Sequence, residues 1–392
     1  MTIALKIQGV LEKASWIRKM FEEGARLKAK YGPENVFDFS LGNPNLSPPP
    51  RFHQALMEAA KNSGGSQHSY MPNTGYPLVK KAVAESISAV QGIVISAEDV
   101  IMTCGAAGAL NVIFKAILDP GDQVITPRPY FMEYDSYVDN HGGILKAVAS
   151  KDDFSLDFDA IKNGINAQTK AVLINSPNNP SGRIYSEESL KELGELLHAE
   201  GYKLRKTIYL VDDEPYSKII FDGAKVPPLF SCYKESIIAT SYSKDLSIPG
   251  ERIGYLVVHP DALYKEGLLA GMALTNRILG YVNAPALMQR IVATLQGISV
   301  DASLYQKKRD LLCAGLASLG YDFVIPEGTF YLFPKTPIPD DVAFVKALQK
   351  ERILTVPGSG FGCPGYFRIA FCVDDDTITN AMPGFGRVLQ QL

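Results

Sequence analysis

Cysteine is scarce in this sequence and none of it is paired. Cys104, Cys232, Cys313, Cys363 and Cys372 are the five among 392 residues, and no two stand in a Cys-x-x-Cys spacing. That argues against a thiolate zinc cluster or a disulfide framework and fits a reducing cytosol. There is no long basic tract, and the formal net charge is -3. Nucleic acid is therefore not an expected partner. No apolar run is long enough to span a bilayer, so no membrane is expected either. The N-terminus, Met1-Thr-Ile-Ala-Leu-Lys-Ile-Gln8, lacks the basic-then-apolar pattern of a signal peptide. Internal repeats and low-complexity tracts are missing too. These absences lead to the expectation of a soluble, cytoplasmic, globular protein.

What is present is a chain of 46% hydrophobic and 21% charged residues, long enough for two domains. Residues 8–30 alternate apolar and charged positions at helical spacing and predict an amphipathic helix. A short strand is expected over 36–42, a proline-rich loop over 43–50, and helices near 51–62 and 77–91. From about residue 98, short apolar runs alternate with helical spacing. The runs fall at 100–103, 124–126, 144–148, 171–174, 208–211, 237–239 and 255–258. Several are continuous rather than alternating, as strands covered on both faces tend to be. The expectation is an α/β protein with a large doubly wound domain and a mainly parallel sheet. In such sheets the site lies at the carboxyl ends of the strands. Beyond about 300 the pattern becomes a smaller α+β unit, with strands near Phe323, 330–333, 354–356 and 367–371. The expected division is 46–299 for the large domain, with 1–45 and 300–392 forming the small one.

Chemistry-bearing residues gather at the ends of the proposed strands. The densest stretch is Ser241-Tyr-Ser-Lys-Asp-Leu-Ser-Ile-Pro-Gly-Glu-Arg252, which sets Lys244 and Arg252 on one loop between two apolar runs. A buried lysine loses basicity and becomes a nucleophile for carbonyl compounds. Arginine grips a phosphate or carboxylate in bidentate fashion. Gly105-Ala-Ala-Gly108 is a strand-to-helix turn whose small residues let backbone amides approach an anion. Asn175-Ser-Pro-Asn-Asn-Pro-Ser-Gly182 is a rigid loop after a strand. Asp212-Asp-Glu-Pro-Tyr216 puts three carboxylates at a strand end, which suits either a metal or a protonated ring nitrogen. Arg368, in the otherwise apolar Phe367-Arg-Ile-Ala-Phe371, needs an anionic partner.

Taken together, Asn179-Pro-Ser-Gly182, Asp213-x-x-Tyr216, Ser241-x-Ser-Lys244 with Arg252, and Arg368 resemble the class I/II aminotransferases in order and spacing. These are the fold-type I, aspartate aminotransferase-like enzymes that use pyridoxal 5'-phosphate. The resemblance runs from about Phe39 to the end of the chain. It implies Lys244 as the Schiff-base lysine and proton carrier, and Asp213 as the partner of the pyridine nitrogen. Tyr216 and Asn179 would bind the ring oxygen. Arg252, Ser241 and Ser243, with the amides of Ala106 and Ala107, would hold the phosphate. Phe131, rather than Tyr130, would stack on the ring. Arg368, assisted by Gly42 and Asn179, would clamp the substrate carboxylate. Tyr70 would reach the phosphate of a neighbouring subunit, which implies a homodimer with shared sites. The implied reaction is ping-pong transfer of an amino group, through a pyridoxamine intermediate, from an α-amino acid to a 2-oxo acid such as 2-oxoglutarate. No metal is implied.

The chain also departs from the family pattern. Ala106 and Ala107 stand where many relatives carry Ser or Thr, and they leave no side chain there to read a substrate's second carboxylate. Arg277 lies near a position where one subgroup places an arginine for that purpose, so aspartate is one donor to consider. Carbon–sulfur β-lyase chemistry uses the same scaffold, and a non-catalytic sensor is the alternative from another class. The family pattern further predicts cis bonds at Arg128-Pro129 and Asn179-Pro180.

Overall fold

The computed structural model describes residues 3–12 and 16–391. Its centre is a seven-stranded sheet built from Val100–Thr103 (β1), Gln123–Pro127 (β2), Ile144–Val148 (β3), Thr169–Ile174 (β4), Tyr209–Asp213 (β5), Ser236–Ser241 (β6) and Gly254–Val258 (β7). The spatial order is β1-β7-β6-β5-β4-β2-β3. All neighbours run parallel except β7, which is antiparallel to both β6 and β1.

Residue alternation sorts each strand onto two apolar layers. Ile101, Val124, Leu173, Val211, Ile237 and Leu256 face one way and pack against Leu110, Ile113 and Met272 of helices Gly105–Ile117 and Lys265–Ile278. Val100, Ile125, Val172, Leu210, Ile238 and Val257 face the other way, against Val79 and Val83 of Pro77–Gln91 and Leu190 and Leu193 of Glu187–Leu204. Burial on both faces explains the continuous apolar runs. The fold is the α/β architecture with a mainly parallel sheet that the sequence predicts.

A third apolar cluster joins the two ends of the chain. Val36 and Phe39 pack there with Tyr305, Leu312, Phe330, Phe344, Ile369 and Phe385. Phe37–Asp38 pairs in parallel with Ile353–Leu354. Val356–Pro357, Phe367–Ala370 and Tyr331–Leu332 form an antiparallel three-stranded sheet.

Some local expectations change. The predicted helix over 8–30 is two helices, Leu5–Glu12 and Trp16–Tyr31, and residues 13–15 lie outside the described residues. The strand over 36–42 shortens to Phe37–Asp38. No strand forms at Phe323, which instead packs its ring on the third cluster. The expected strand 354–356 divides at Thr355, because the segment before it pairs with 37–38 and the segment after it pairs with 367–368.

Candidate active site

The carboxyl ends of β4, β5 and β6 open on one side of the sheet. Because β7 runs backwards, its first residue, Gly254, sits at that same edge, opposite both Ser241 and Thr103. The loop from Ser241 to Gly254 therefore closes on the site. Two of its residues, Ser247 and Arg252, hold left-handed backbone angles (φ 57° and 51°), conformations that non-glycine residues adopt at a cost and that concentrate at functional sites. The hydroxyl of Ser247 donates to the Leu46 carbonyl, outside the cavity.

A cavity of about 330 Å³ lies at this edge. Its walls include Gly42, Ala106, Ala107, Phe131, Asn179, Asp213, Tyr216, Ser241, Ser243, Lys244, Arg252 and Arg368. Of the residues to which the family resemblance gives a role in holding cofactor or substrate, Tyr70 alone is not in its wall; that side chain is 91% exposed. Tyr130 also stays outside, donating its hydroxyl to Asp135 at 3.0 Å. Arg277 is exposed near the end of Lys265–Ile278, away from the cavity.

One end of the cavity suits an anion. Gly105–Ala107 are the first residues of helix Gly105–Ile117 rather than a turn preceding it, so their amides are unspent helix donors. Gly105 has φ 76°, and a Cβ there would come within 2.8 Å of an Arg252 terminal nitrogen. Glycine thus lets the guanidinium lie against the helix start, held by the carbonyl of Pro249 at 2.8 Å.

Asp213 stands at the cavity floor. The hydroxyl of Tyr134 donates to its Oδ2 at 2.6 Å, while Oδ1 is buried without a partner. Burial raises the carboxyl to about 6, partly offset by the Tyr134 hydrogen bond and by Lys244. Asn175 donates to the Asp213 carbonyl at 2.5 Å and accepts from the Asn179 amide at 2.6 Å, tying the β4 and β5 loops together. Asp212 and Glu214 flank Asp213, are buried and stay out of the cavity wall; burial, then repulsion from neighbouring carboxylates, pushes both carboxyls upward. Among the described residues no cluster suited to a metal ion occurs.

The Lys244 amine donates to the Gly42 carbonyl at 3.0 Å. Burial lowers it to about 8, with Arg368 and Arg252 pushing the same way. Arg368 is 1% exposed. It donates to the Asn179 side-chain oxygen at 3.1 Å and to the Ser40 carbonyl at 2.7 Å, and its Nε is buried without a partner. A guanidinium only donates, so the Asn179 atom facing it is the oxygen. A partly satisfied, buried cation of this kind is a site for a carboxylate. The Arg128-Pro129 and Asn179-Pro180 bonds are cis, as the family pattern predicts, and Ser176-Pro177 is cis as well.

A model of the family described as aminotransferase class I and II matches residues 34–384. The chain belongs to this aminotransferase family. Among its relatives, the probable aspartate/prephenate aminotransferase of Thermus aquaticus is 32% identical over 358 residues, covering 90% of this chain and 91% of that one. A crystal structure of an amino transferase from Eubacterium rectale superposes with a TM-score of 0.97 at 39% identity, covering 100% of this chain and 99% of that one. The Thermus thermophilus aspartate aminotransferase, solved with maleate, gives 0.87 at 27% identity, with 99% and 100% covered.

Residues outside those motifs also build this aminotransferase's site, in the cavity wall or directly against it. Tyr134 is wholly buried against Asp213, and its placement three residues after Phe131 was the one available signal. Glu133 and Tyr137, on helix Glu133–Asp139, also line the cavity. Tyr331 gave no signal, because it sits inside an apolar run that reads only as a strand.

Proposed function

We propose that this aminotransferase uses pyridoxal 5'-phosphate to move an amino group from an α-amino acid to a 2-oxo acid, with 2-oxoglutarate the expected acceptor. The observation that carries the reading is the convergence of Lys244, Asp213 and Arg368 on one cavity, with the buried Asp213 Oδ1 and Arg368 Nε left without partners. Those orphan atoms fit the two ends of the reacting pair: a protonated ring nitrogen at the carboxylate and a substrate carboxylate at the guanidinium.

When bound, the cofactor supplies an electron sink conjugated to the substrate's amine-bearing carbon. The chain's residues do the rest. Arg252, Ser241, Ser243 and the amides at the start of helix Gly105–Ile117 would bind the phosphate. Phe131 would pack on the ring. Asp213, ionised above about pH 6, keeps the ring nitrogen protonated. Asn179 and Tyr216 would bind the ring oxygen. Lys244, its basicity lowered to about 8, would hold the cofactor and would move the proton at the substrate α-carbon. Arg368 fixes the carboxylate, so that the bond to be broken stands in one orientation.

We infer a cytoplasmic homodimer in which Tyr70 completes the neighbour's phosphate site; its 91% exposure on one chain leaves it free to do so. We also propose the domain division 46–299 against 1–45 with 300–392, supported by the pairing of Phe37–Asp38 with Ile353–Leu354. Aspartate is the first donor to test, because named relatives are aspartate aminotransferases. Within one chain the cavity's three basic side chains are already allotted, and Arg277 lies outside it. A second carboxylate would therefore need a cation from the partner.

The test is a panel of amino acids, aspartate included, mixed rapidly with cofactor-loaded protein while the visible absorbance is followed. Conversion by at least one donor, restored by 2-oxoglutarate, is expected. Lys244→Ala should lose nearly all turnover, and unchanged transamination in that variant sinks the proposal. Pyruvate released from cystathionine without an acceptor would move the reading to β-lyase chemistry.

A further inference from the structure

Tyr331 touches two of the polar side chains proposed to act near the substrate, Tyr216 and Arg368. It is 3% exposed, in the short strand Tyr331–Leu332, which pairs with Phe367–Ala370, the strand that carries Arg368. Three contacts define its place. Its hydroxyl lies 3.2 Å from the Tyr216 hydroxyl. Its ring centroid lies 4.5 Å from the Arg368 guanidinium, which is also 4.8 Å from that of Phe361. The same hydroxyl packs on the α-carbon of Gly42, where any Cβ would overlap it; Gly42 in turn offers its carbonyl to Lys244. Among the described residues the Tyr331 hydroxyl has no hydrogen-bond partner besides Tyr216.

We propose that Tyr331 is a positioning residue with two separable actions, its hydroxyl orienting and polarising the Tyr216 hydroxyl and its ring holding the Arg368 guanidinium in plane. The proposal rests on the reading of this cavity as a pyridoxal-phosphate site. The physical case follows from what each neighbour lacks. Tyr216 has a single hydroxyl hydrogen, and turning it towards the ring oxygen leaves its own oxygen to accept from Tyr331. A hydroxyl that accepts one hydrogen bond donates a stronger one. Tyr331 therefore strengthens the bond that Tyr216 makes to an anionic ring oxygen. That bond withdraws charge from the conjugated system and lowers the basicity of the nitrogen in it. The ring acts differently. Arg368 reaches two side-chain and backbone oxygens yet keeps an orphan Nε, so hydrogen bonds alone do not fix its plane. A face-on aromatic contact holds the plane and leaves the remaining N–H groups for a carboxylate.

Two substitutions separate the actions. Tyr331→Phe removes one oxygen and keeps the ring; Tyr331→Leu removes both. The full-length, cofactor-loaded protein is titrated by its visible absorbance, and KM and kcat are measured for an amino acid and for its α-carboxamide. Tyr331→Phe should raise the pH midpoint of the absorbance change and leave KM for the amino acid within about twofold. Tyr331→Leu should raise the midpoint as well, and should raise KM for the amino acid by about 30-fold, the scale of one desolvated cation–π contact. Its KM for the carboxamide should stay unchanged. In a Tyr216→Phe background, adding Tyr331→Phe should move the midpoint no further, which a general loosening of the fold would not reproduce. A midpoint unchanged in Tyr331→Phe, or shifted equally with and without Tyr216, overturns the inference and leaves the cofactor reading standing. A protein that develops no visible band with pyridoxal phosphate overturns both.

Discussion

Replacing Asp213 with asparagine should stabilise the cofactor-free protein while removing its hold on the cofactor. Asp213 is 7% exposed, and its carboxyl rises from the ordinary 3.8 to about 6, chiefly through burial. At about 1.4 kcal/mol for each tenfold change in proton affinity, that rise amounts to about 3 kcal/mol of strain carried by the ionised group in the folded state. The sign follows from proton binding. Between pH 3.8 and about 6 the folded chain holds a proton that the unfolded chain has released, so native stability falls as pH rises through this window. The asparagine side chain would never ionise, and its carbonyl can still accept the Tyr134 hydrogen bond. With unfolding entropy scaling with 392 residues, about 3 kcal/mol corresponds to a rise of about 4 °C in the melting midpoint. The assay is calorimetric melting of cofactor-free wild type and Asp213→Asn at about pH 7.5 and about pH 4.5. The gain should be full at the higher pH and mostly gone at the lower. Cofactor at about a hundred times its dissociation constant adds about 2.7 kcal/mol to the wild type. The variant should gain much less, closing or reversing the gap. A cofactor-free variant less stable than wild type near neutrality, or a gain that persists undiminished in acid, refutes the reasoning.

Two further outcomes are expected. Tyr134→Phe removes the 2.6 Å donor to Asp213, at a cost of about 1–3 kcal/mol for a buried hydrogen bond, and lets that carboxyl rise further. Equilibrium dialysis should show cofactor binding failing at a higher pH than in the wild type; an identical pH profile would contradict this role. Arg368→Lys keeps the charge but loses the fork that reaches Asn179 and Ser40 together. Steady-state kinetics should show KM for the amino acid rising about 10- to 100-fold, with kcat falling less. A fall in kcat alone would place Arg368 elsewhere in the reaction.

Much of the site was legible before folding, because it is written as local motifs. Lys244 and Arg252 share one loop, Asp213 and Tyr216 share another, and Asn179 stands in a proline-fixed turn. Each motif carries its own backbone demand, so order and spacing were enough to nominate it. The alternation of apolar runs with helical spacing likewise determined the class of fold, since only a sheet covered on both faces buries unbroken apolar strands. Other features depend on which segments come together. Thr355 separates two pairings that sequence merges, because strand partners are set by distant residues. Tyr134 comes to Asp213 across 79 positions, and Tyr331 to Tyr216 across 115. Nothing near Tyr331 in the chain differs from an ordinary core aromatic, and only its spacing from Phe131 marks Tyr134. The sequence by itself determined the family and the fold class and nominated the candidate site residues that motifs carry. The tertiary structure decided which carboxylate oxygen stays unpaired, how far burial lowers the Lys244 amine, and which aromatics orient Asp213, Tyr216 and Arg368. Those are properties of desolvation and of contacts between remote segments, and no local pattern encodes them.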